Sequence, residues 1–100
     1  MKHQIHLAIQ IVPLSTGDQH PYAVIDKAIE VIARSGLRYA VGAMETVMEG
    51  PYEEAMAVAK KAQEACLEAG AGELVVNLKL HVRKDGDVTC EEKGVDKFNV

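Results

Sequence analysis

Two runs of alternating side chains, one near each end of the chain, constrain its fold more than any other feature. Aliphatic residues occupy every second position from Ile5 to Ile11 and again from Leu74 to Val82. A strict period of two is typical of a β-strand that packs one face on a hydrophobic core. The sequence therefore predicts a strand near each end, and Pro13, which has no N–H to donate, is expected to end the first.

Two amphipathic segments between these runs carry the signals of helices. The first is expected to start at Pro21 and to end before Gly36, because proline suits the first helical turn and glycine suits the left-handed residue after a helix. The second is expected to start at Pro51 and to stop at Gly70. Its predicted inner stripe is rich in small side chains: Ala55, Val58, Ala62, Ala65, Cys66 and Ala69.

Two short strands, at 37–41 and 45–49, are predicted between the helices, on either side of a hairpin at Gly42. The order strand–helix–strand then occurs twice, which is the pattern of the split βαβ plait. Right-handed crossovers place both helices on the same side of the sheet. The predicted fold is therefore α+β and ferredoxin-like, a βαββαβ plait whose four-stranded antiparallel sheet has two helices on one face.

The chain continues beyond the last alternating run. Asp85-Gly86 is a two-residue hairpin signal, so residues 88–91 are predicted to return as a short extra strand. Residues 92–100 are a C-terminal tail without a predicted element. The length of the chain predicts a single domain over residues 1–100.

The composition of the chain disfavours several classes of function. A net charge of −4, from 15 acidic and 11 basic residues, disfavours a nucleic-acid partner, because phosphate backbones require a positive field. No apolar run approaches the roughly 20 residues of a membrane span, and the first residues lack the apolar segment of a signal peptide. Cys66 and Cys90 form no CxxC motif, so both are expected to be reduced thiols in a cytoplasmic protein.

The face of the sheet that the helices leave uncovered is the expected place for function. Its predicted side chains are polar but lightly charged: His6, Ala8, Gln10, Asn77, Lys79 and His81. One interpretation is a subunit interface between symmetric copies, and the other is a ligand pocket with convergent polar groups. The interface is favoured, although a pocket at the edge of an interface satisfies both. The lack of aromatic residues on this face disfavours single-stranded RNA binding.

The segment from Gly42 to Gly50 has the most potential for chemistry. Thr46 shares a strand face with Met44 and Met48, and Glu49 ends the strand. Glu49 and Thr46 could together line a cleft and accept hydrogen bonds from an amino-substituted heterocycle. Alternatively, Glu49 only stabilises the start of the second helix, and the two methionines belong to the core.

Several motifs along the chain match one family. The most specific is Gly42-x-Met44-x-Thr46-x-x-Glu49-Gly50, and the runs Ser35–Tyr39, Ile9–Pro13 and Leu78–Leu80 also fit. In these motifs, which cover nearly the whole chain, the protein resembles the small YkoF-like thiamine-binding family. The resemblance implies a ferredoxin-like fold, dimers or tetramers formed by packing of sheets, and binding of thiamine or its hydroxymethylpyrimidine moiety.

The resemblance carries a binding role to Thr46, to Glu49 and to the Pro13–Gly17 loop, which contains Ser15. An aminopyrimidine offers an amino donor, which Glu49 and Thr46 would accept, and ring nitrogens that amide side chains would contact. A methionine would pack on the ring. The predicted ligand-binding residues are therefore Thr46, Glu49, Gln10, Asn77, Met44 and Ser15.

Other functions have less support in the sequence. His6 and His81 lie on one face of neighbouring strands, but two imidazoles without a third ligand make a poor metal site, so no metal is predicted. No nucleophile with a base, phosphate-binding loop or HExxH motif is present, so no catalytic residue, cofactor or enzymatic activity is predicted. The alternative to ligand binding is a structural or regulatory homo-oligomer in which the polar sheet face is only an interface.

Overall fold

The computed structural model describes residues 2–94 of the chain. The part of the C-terminal tail from residue 95 onward lies outside the described residues. In chain order the elements are strand β1 (Gln4–Ser15), helix α1 (Pro21–Ala33), strands β2 (Arg38–Val41) and β3 (Thr46–Pro51), helix α2 (Tyr52–Glu68), strand β4 (Glu73–His81) and a short 3₁₀ helix (Glu91–Lys93).

The sheet has the strand order β2-β3-β1-β4, and every neighbouring pair is antiparallel. Both helices contribute to one hydrophobic core with the side chains of Ile5, Leu7 and Ile9, which are at most 3% exposed. These three residues are the inward positions of the first alternating run. The ferredoxin-like βαββαβ fold predicted from the sequence is confirmed. β1 and β3 lie in the centre of the sheet, and β4 forms one edge.

Local signals set the ends of the helices. Pro21 is the first residue of α1, and the Tyr22 N–H donates to the Nδ1 atom of His20 at 3.1 Å, which caps the helix. Gly36 follows α1 with φ of +85°, as predicted for a residue in the left-handed region. α2 begins at Tyr52, so Pro51 is its N-cap and not its first helical residue.

The inner stripe of α2 consists of small side chains. The fully buried members are Ala55, Ala59, Ala62 and Cys66. Ala59 takes the place predicted for Val58, which is only partly buried. Small residues bring the helix axis close to the sheet. Each of them buries little area, so the free energy gained per residue at roughly 25 cal/mol per Å² is small.

The chain after β4 does not form the predicted extra strand, and that prediction is wrong. Residues 87–93, which we call the strap, cross the uncovered face of the sheet instead. Val88 and Cys90 of the strap are 0% exposed. The Val88 N–H donates to the Gln4 carbonyl at 3.0 Å, but the next inward N–H, of Cys90, is bound by the Glu49 side chain. A ladder of backbone bonds therefore cannot form.

The strap covers only part of the uncovered face. His6 is 5% and Ala8 is 8% exposed, while Asn77 and Lys79 of β4 remain exposed. Neither helix in the described part of the chain has the length and apolar character that crossing a bilayer requires.

Candidate functional site

Thr46 and Glu49 lie on opposite faces of the sheet. Thr46 is paired with Ile9, whose side chain faces the helices, whereas Glu49 is paired with His6 on the other face. Successive side chains of a strand point to opposite sides, so residues three positions apart face different layers. The expectation that these two residues line one cleft is therefore wrong. Their environments have to be considered separately.

A cavity of about 110 Å³ lies beside Thr46, between α1 and the hairpin that joins β2 to β3. Ile25, Ala28 and Ile29 of α1 form one wall. The hairpin residues 41–45 and the inward side of β1 form the remainder. The walls are mainly aliphatic, which is the character of small-molecule sites in general.

Thr46 places a hydroxyl group in this apolar lining. The residue is only 7% exposed, and its hydroxyl can both donate and accept a hydrogen bond. The cavity therefore has a polar anchor for a ligand in a mainly aliphatic lining.

Met44 borders the same cavity from the hairpin. It is 77% exposed, so the prediction that it belongs to the core is wrong, whereas Met48, at 0% exposed, is a core residue. A long, flexible side chain at the opening can pack against an occupant without being fixed beforehand. Thr46 and Met44 are thus brought together by the structure as the sequence predicted.

Glu49 occupies a closed polar network under the strap. Its Oε1 atom accepts from the Nε2 of His6 at 2.9 Å and from the backbone N–H of Cys90 at 2.8 Å. Its Oε2 atom accepts from Arg38 at 3.1 Å. The residue is 7% exposed. With both oxygens bound to protein donors, the carboxylate fixes the strap to the sheet and is closed to a ligand from solvent.

Further charged side chains extend the same network at its outer side. Arg38 also bonds Glu91 of the strap, with an Nη2–Oε2 distance of 2.9 Å, and the hydrogen bond lowers the pKa of Glu91 to about 2. Burial raises the pKa of the Cys90 thiol, which therefore stays protonated at neutral pH. The Nζ of Lys93 lies 2.9 Å from the Nδ1 of His6.

Side-chain donor atoms of Glu49, Cys90 and Glu91 lie within 4.8 Å of one another, the spacing of a metal site. The Arg38 guanidinium bonds both carboxylates, however, and a protonated thiol is a poor ligand. A cation would have to displace Arg38. These residues are therefore better explained as contacts that fix the strap to the sheet. His6 and His81 are register partners, but His6 is engaged by Glu49.

The other predicted ligand residues lie away from the cavity. Asn77 donates to the Oε1 of Gln10 at 3.2 Å on the uncovered face of the sheet. Gln10 borders the cavity, but by strand alternation its side chain points to the other face. Ser15 is exposed at the end of β1, where its carbonyl accepts from the Gly72 N–H at 2.9 Å.

Residues of α1 that line the cavity were not predicted as site residues. Ile25, Ala28 and Ile29 recur at the helical apolar spacing, which is also typical of a face that packs in a core. Burial separates these residues from ordinary core residues only in part, since Ala28 is 2% exposed and the two isoleucines are half-buried. No signal in the sequence separates a helix face that fills a core from one that borders a cavity.

Comparisons with known proteins agree with the fold and with the motif. The sequence profile of the family described as thiamine-binding protein matches residues 7–97. A UPF0045 protein of Clostridium perfringens is 42% identical over 88 residues, which cover 88% of this chain and 90% of that protein.

Solved structures give the same result. A domain of unknown function, DUF77, from Bacillus cereus has a TM-score of 0.88 and 41% identity, over 97% of this chain and 95% of that one. A candidate thiamine biosynthesis/salvage protein of Thermotoga maritima has a TM-score of 0.79 and 33% identity, over 90% of this chain and 94% of that one.

Fold, cavity and relatives together define a small ferredoxin-like protein that binds a small molecule. More particularly, the chain belongs to the thiamine-binding protein family, as its motifs indicated.

Proposed function

We propose that the protein binds the aminopyrimidine ring of thiamine, or free hydroxymethylpyrimidine, in the cavity between α1 and the β2–β3 hairpin. The observation that carries this proposal is the hydroxyl of Thr46, a residue that is only 7% exposed in a mainly aliphatic cavity wall. The relation to a candidate thiamine biosynthesis/salvage protein supports the choice of ligand class.

The size of the cavity favours a single ring. A cavity of about 150 Å³ is enough for benzene in an engineered protein, and the volume here is about 110 Å³. One six-membered ring fits with small adjustments of the half-buried isoleucines, whereas the two rings of thiamine do not. The thiazolium would therefore remain at the opening, against the exposed side chain of Met44.

The chemistry of the ring suits the lining. Its faces would pack on the aliphatic side chains of α1, and its amino group or a ring nitrogen would bond to the Thr46 hydroxyl, which both donates and accepts. Glu45 is the charged residue among the described lining residues, and its carboxylate is paired with Lys79 at 3.0 Å. No base is therefore positioned for proton transfer from the described lining, so we propose binding without turnover.

The test compares Thr46→Val with the wild type in calorimetric titrations with hydroxymethylpyrimidine and with thiamine. Valine keeps the shape and removes the hydroxyl, so affinity should fall by about 2- to 12-fold, the equivalent of one hydrogen bond at 0.5–1.5 kcal/mol. The thermal midpoint without ligand should stay close to that of the wild type, because valine fills the same space as threonine.

Thr16→Val is the matched control, since Thr16 lies in the loop after β1 and its hydroxyl donates to the Gln19 carbonyl. That variant should bind both ligands like the wild type. The proposal fails if neither compound raises the wild-type melting temperature at millimolar concentration, because a bound ligand must stabilise the folded state.

We also propose that the protein acts as a dimer or tetramer in the cytoplasm. Two features support self-association: the exposed part of the uncovered face, and the exposed aliphatic side chains along β4. The alternative, an oligomer without a small-molecule ligand, would keep the assembly but show no response to either pyrimidine compound.

A further inference from the structure

We infer that an open cleft between the start of β1 and the end of β4 binds a small organic phosphate, that is, a phosphate monoester that carries an apolar or aromatic group. The cleft has a volume of about 590 Å³, which is within the range of roughly 300–1,000 Å³ for small-molecule sites. It is a second site, and the inference does not depend on the proposed binding of a pyrimidine.

The cleft exists because β1 and β4 separate at one end of the sheet. Their last register pair at this end is His6 with His81. Beyond this pair, the cleft is bordered by the first residues of the chain on one side and by residues 82–85 on the other. The chain turns at residues 84–86 into the strap, so it cannot follow β1 any further, and the two segments diverge.

The core separates this cleft from the cavity beside Thr46. Ile5 borders the cleft and Ile9 borders the cavity, and four residues of a strand span about 13 Å. Leu7, which lies between them on the same side of the sheet, is 0% exposed. A ligand in one site therefore does not contact a ligand in the other.

The lining of the cleft is positive, although the chain as a whole has a net charge of −4. Lys2, Arg83 and Lys84 supply three positive charges, and Asp85 supplies one negative charge. Lys2 and Lys84 are exposed, so both ammonium groups are free to turn toward a ligand. A lysine offers phosphate a compact positive charge with three donors. The lining therefore favours an anion.

Arg83 is held in place before a ligand arrives. Its Nη1 donates to the Asp87 carbonyl and to Glu92, and its Nη2 donates to Glu92 at 2.7 Å. Within residues 2–94 these bonds use three of the five N–H donors of the guanidinium, which leaves two for a phosphate oxygen. Because Glu92 balances the charge of Arg83, the two lysines supply most of the attraction.

The remainder of the lining selects the organic part of the ligand. Apart from His3, whose ring is paired with Asp87, it is aliphatic and consists of Ile5 and Val82. Val82 is 41% exposed. Inorganic phosphate would leave this apolar surface in water, whereas the apolar group of a phosphate ester would cover it. An organic phosphate therefore suits the cleft better than a free ion.

The test titrates the wild type with phenyl phosphate, inorganic phosphate, benzoate and phenol by calorimetry at low ionic strength. Phenyl phosphate should bind most tightly, because among these probes it alone combines a phosphate with an apolar ring. Its affinity should fall as salt is added, since exposed charges are screened over about 10 Å at 0.1 M. Benzoate that binds as tightly would contradict the choice of phosphate.

Variants of the lining locate the binding. Lys2→Gln/Lys84→Gln should lower the affinity for phenyl phosphate by about 2- to 30-fold, the equivalent of two exposed ion pairs. Lys60→Gln/Lys61→Gln is the matched control, because it removes two exposed lysines of α2 with the same change in net charge, and it should bind like the wild type. Val82→Ala should weaken phenyl phosphate and leave inorganic phosphate unchanged.

Three results would overturn the inference. The first is a wild type that shows neither heat nor a rise in melting temperature with millimolar phenyl phosphate. The second is an equal loss of affinity in both double variants, which would assign the attraction to net charge. The third is inorganic phosphate that binds as tightly as the ester. Thr46→Val should bind phenyl phosphate like the wild type, so failure here and failure of pyrimidine binding are distinguishable.

Discussion

Glu49 is a buried carboxylate whose two oxygens are both engaged by the protein. Three donors, from His6, Arg38 and the Cys90 backbone, reach its two oxygens. A carboxylate accepts through both oxygens, whereas a glutamine amide accepts through one and turns an NH₂ group toward the other donors. The residue therefore has a structural role that its place in β3 does not reveal.

We expect Glu49→Gln to lower the free energy of unfolding by about 2–3 kcal/mol, the usual cost of removing a charged partner from buried hydrogen bonds. Urea unfolding measures this change. The exposed Glu64→Gln on α2 is the control and should be neutral.

Below its melting temperature, Glu49→Gln should still bind the pyrimidine as the wild type does, because the carboxylate is on the opposite face from the cavity. A stable variant that has lost ligand binding would instead make Glu49 a ligand residue.

The strap is an element whose attachment depends on pH. Hydrogen bonds from Arg38 to Glu91 and from Arg83 to Glu92 lower the pKa of each carboxyl to about 2, from an ordinary value of 4.5. A carboxyl whose pKa is lowered by folding stabilises the folded state above its unfolded pKa. That contribution disappears as the pH falls through the folded value.

We therefore expect the urea midpoint of the wild type to fall between about pH 4.5 and pH 2 by more than that of a Glu91→Gln/Glu92→Gln variant. The variant should be the less stable protein at pH 6, and the two should converge near pH 2. A Glu64→Gln/Glu68→Gln pair on exposed α2 positions should follow the wild type. If the urea midpoints of the wild type and of Glu91→Gln/Glu92→Gln fell in parallel as the pH decreased, the two carboxylates would not be stabilising the strap.

The alanine stripe of α2 sets the distance between helix and sheet. Ala59 is 1% exposed, and Ala57, two positions away, is exposed. A leucine at 59 must push the helix outward or adopt a strained rotamer, so Ala59→Leu should cost about 1–3 kcal/mol of unfolding free energy. Ala57→Leu should change it by less than about 0.5 kcal/mol. Thermal unfolding of both variants measures the difference. Equal midpoints would contradict the role of Ala59 in setting the distance between helix and sheet.

The helices and strands could be predicted because their signals are local. Pro21, Gly36 and the alternating runs fix element type and approximate ends without reference to the rest of the chain. The strap could not be predicted in this way. Its path depends on contacts between Cys90 and Glu49, which lie 41 residues apart, and Asp85-Gly86 has the same turn chemistry whether a strand or a loop follows.

Two residues chosen from the sequence border the cavity. Thr46 was chosen through the family motif, and Met44 was chosen because a methionine could pack on a ring. Strand alternation, which is visible in the sequence, already separates Thr46 from Glu49, but the motif presents them as one unit. The wall of the cavity on α1 could not be predicted, because it depends on how the helix packs against the β2–β3 hairpin. The spacing of apolar residues in the sequence does not specify that packing.

At the scale of the whole molecule, the sheet divides the protein into two compartments. One side holds the core, both helices and the cavity beside Thr46. The other holds the strap and the network around Glu49. β1 and β3 contribute to both, because their successive side chains alternate between the layers. The outer edge of β4 has no strand partner among residues 2–94.

The division of β3 between two layers affects how genetic screens of this protein should be interpreted. Saturation mutagenesis of positions 46–50 would yield two kinds of defective clone that alternate along five consecutive codons. Loss of function at positions 46 and 48 would reflect weaker ligand binding or poorer core packing. Loss of function at position 49 would reflect lower protein abundance. A screen that records only growth would merge them into one apparent hot spot.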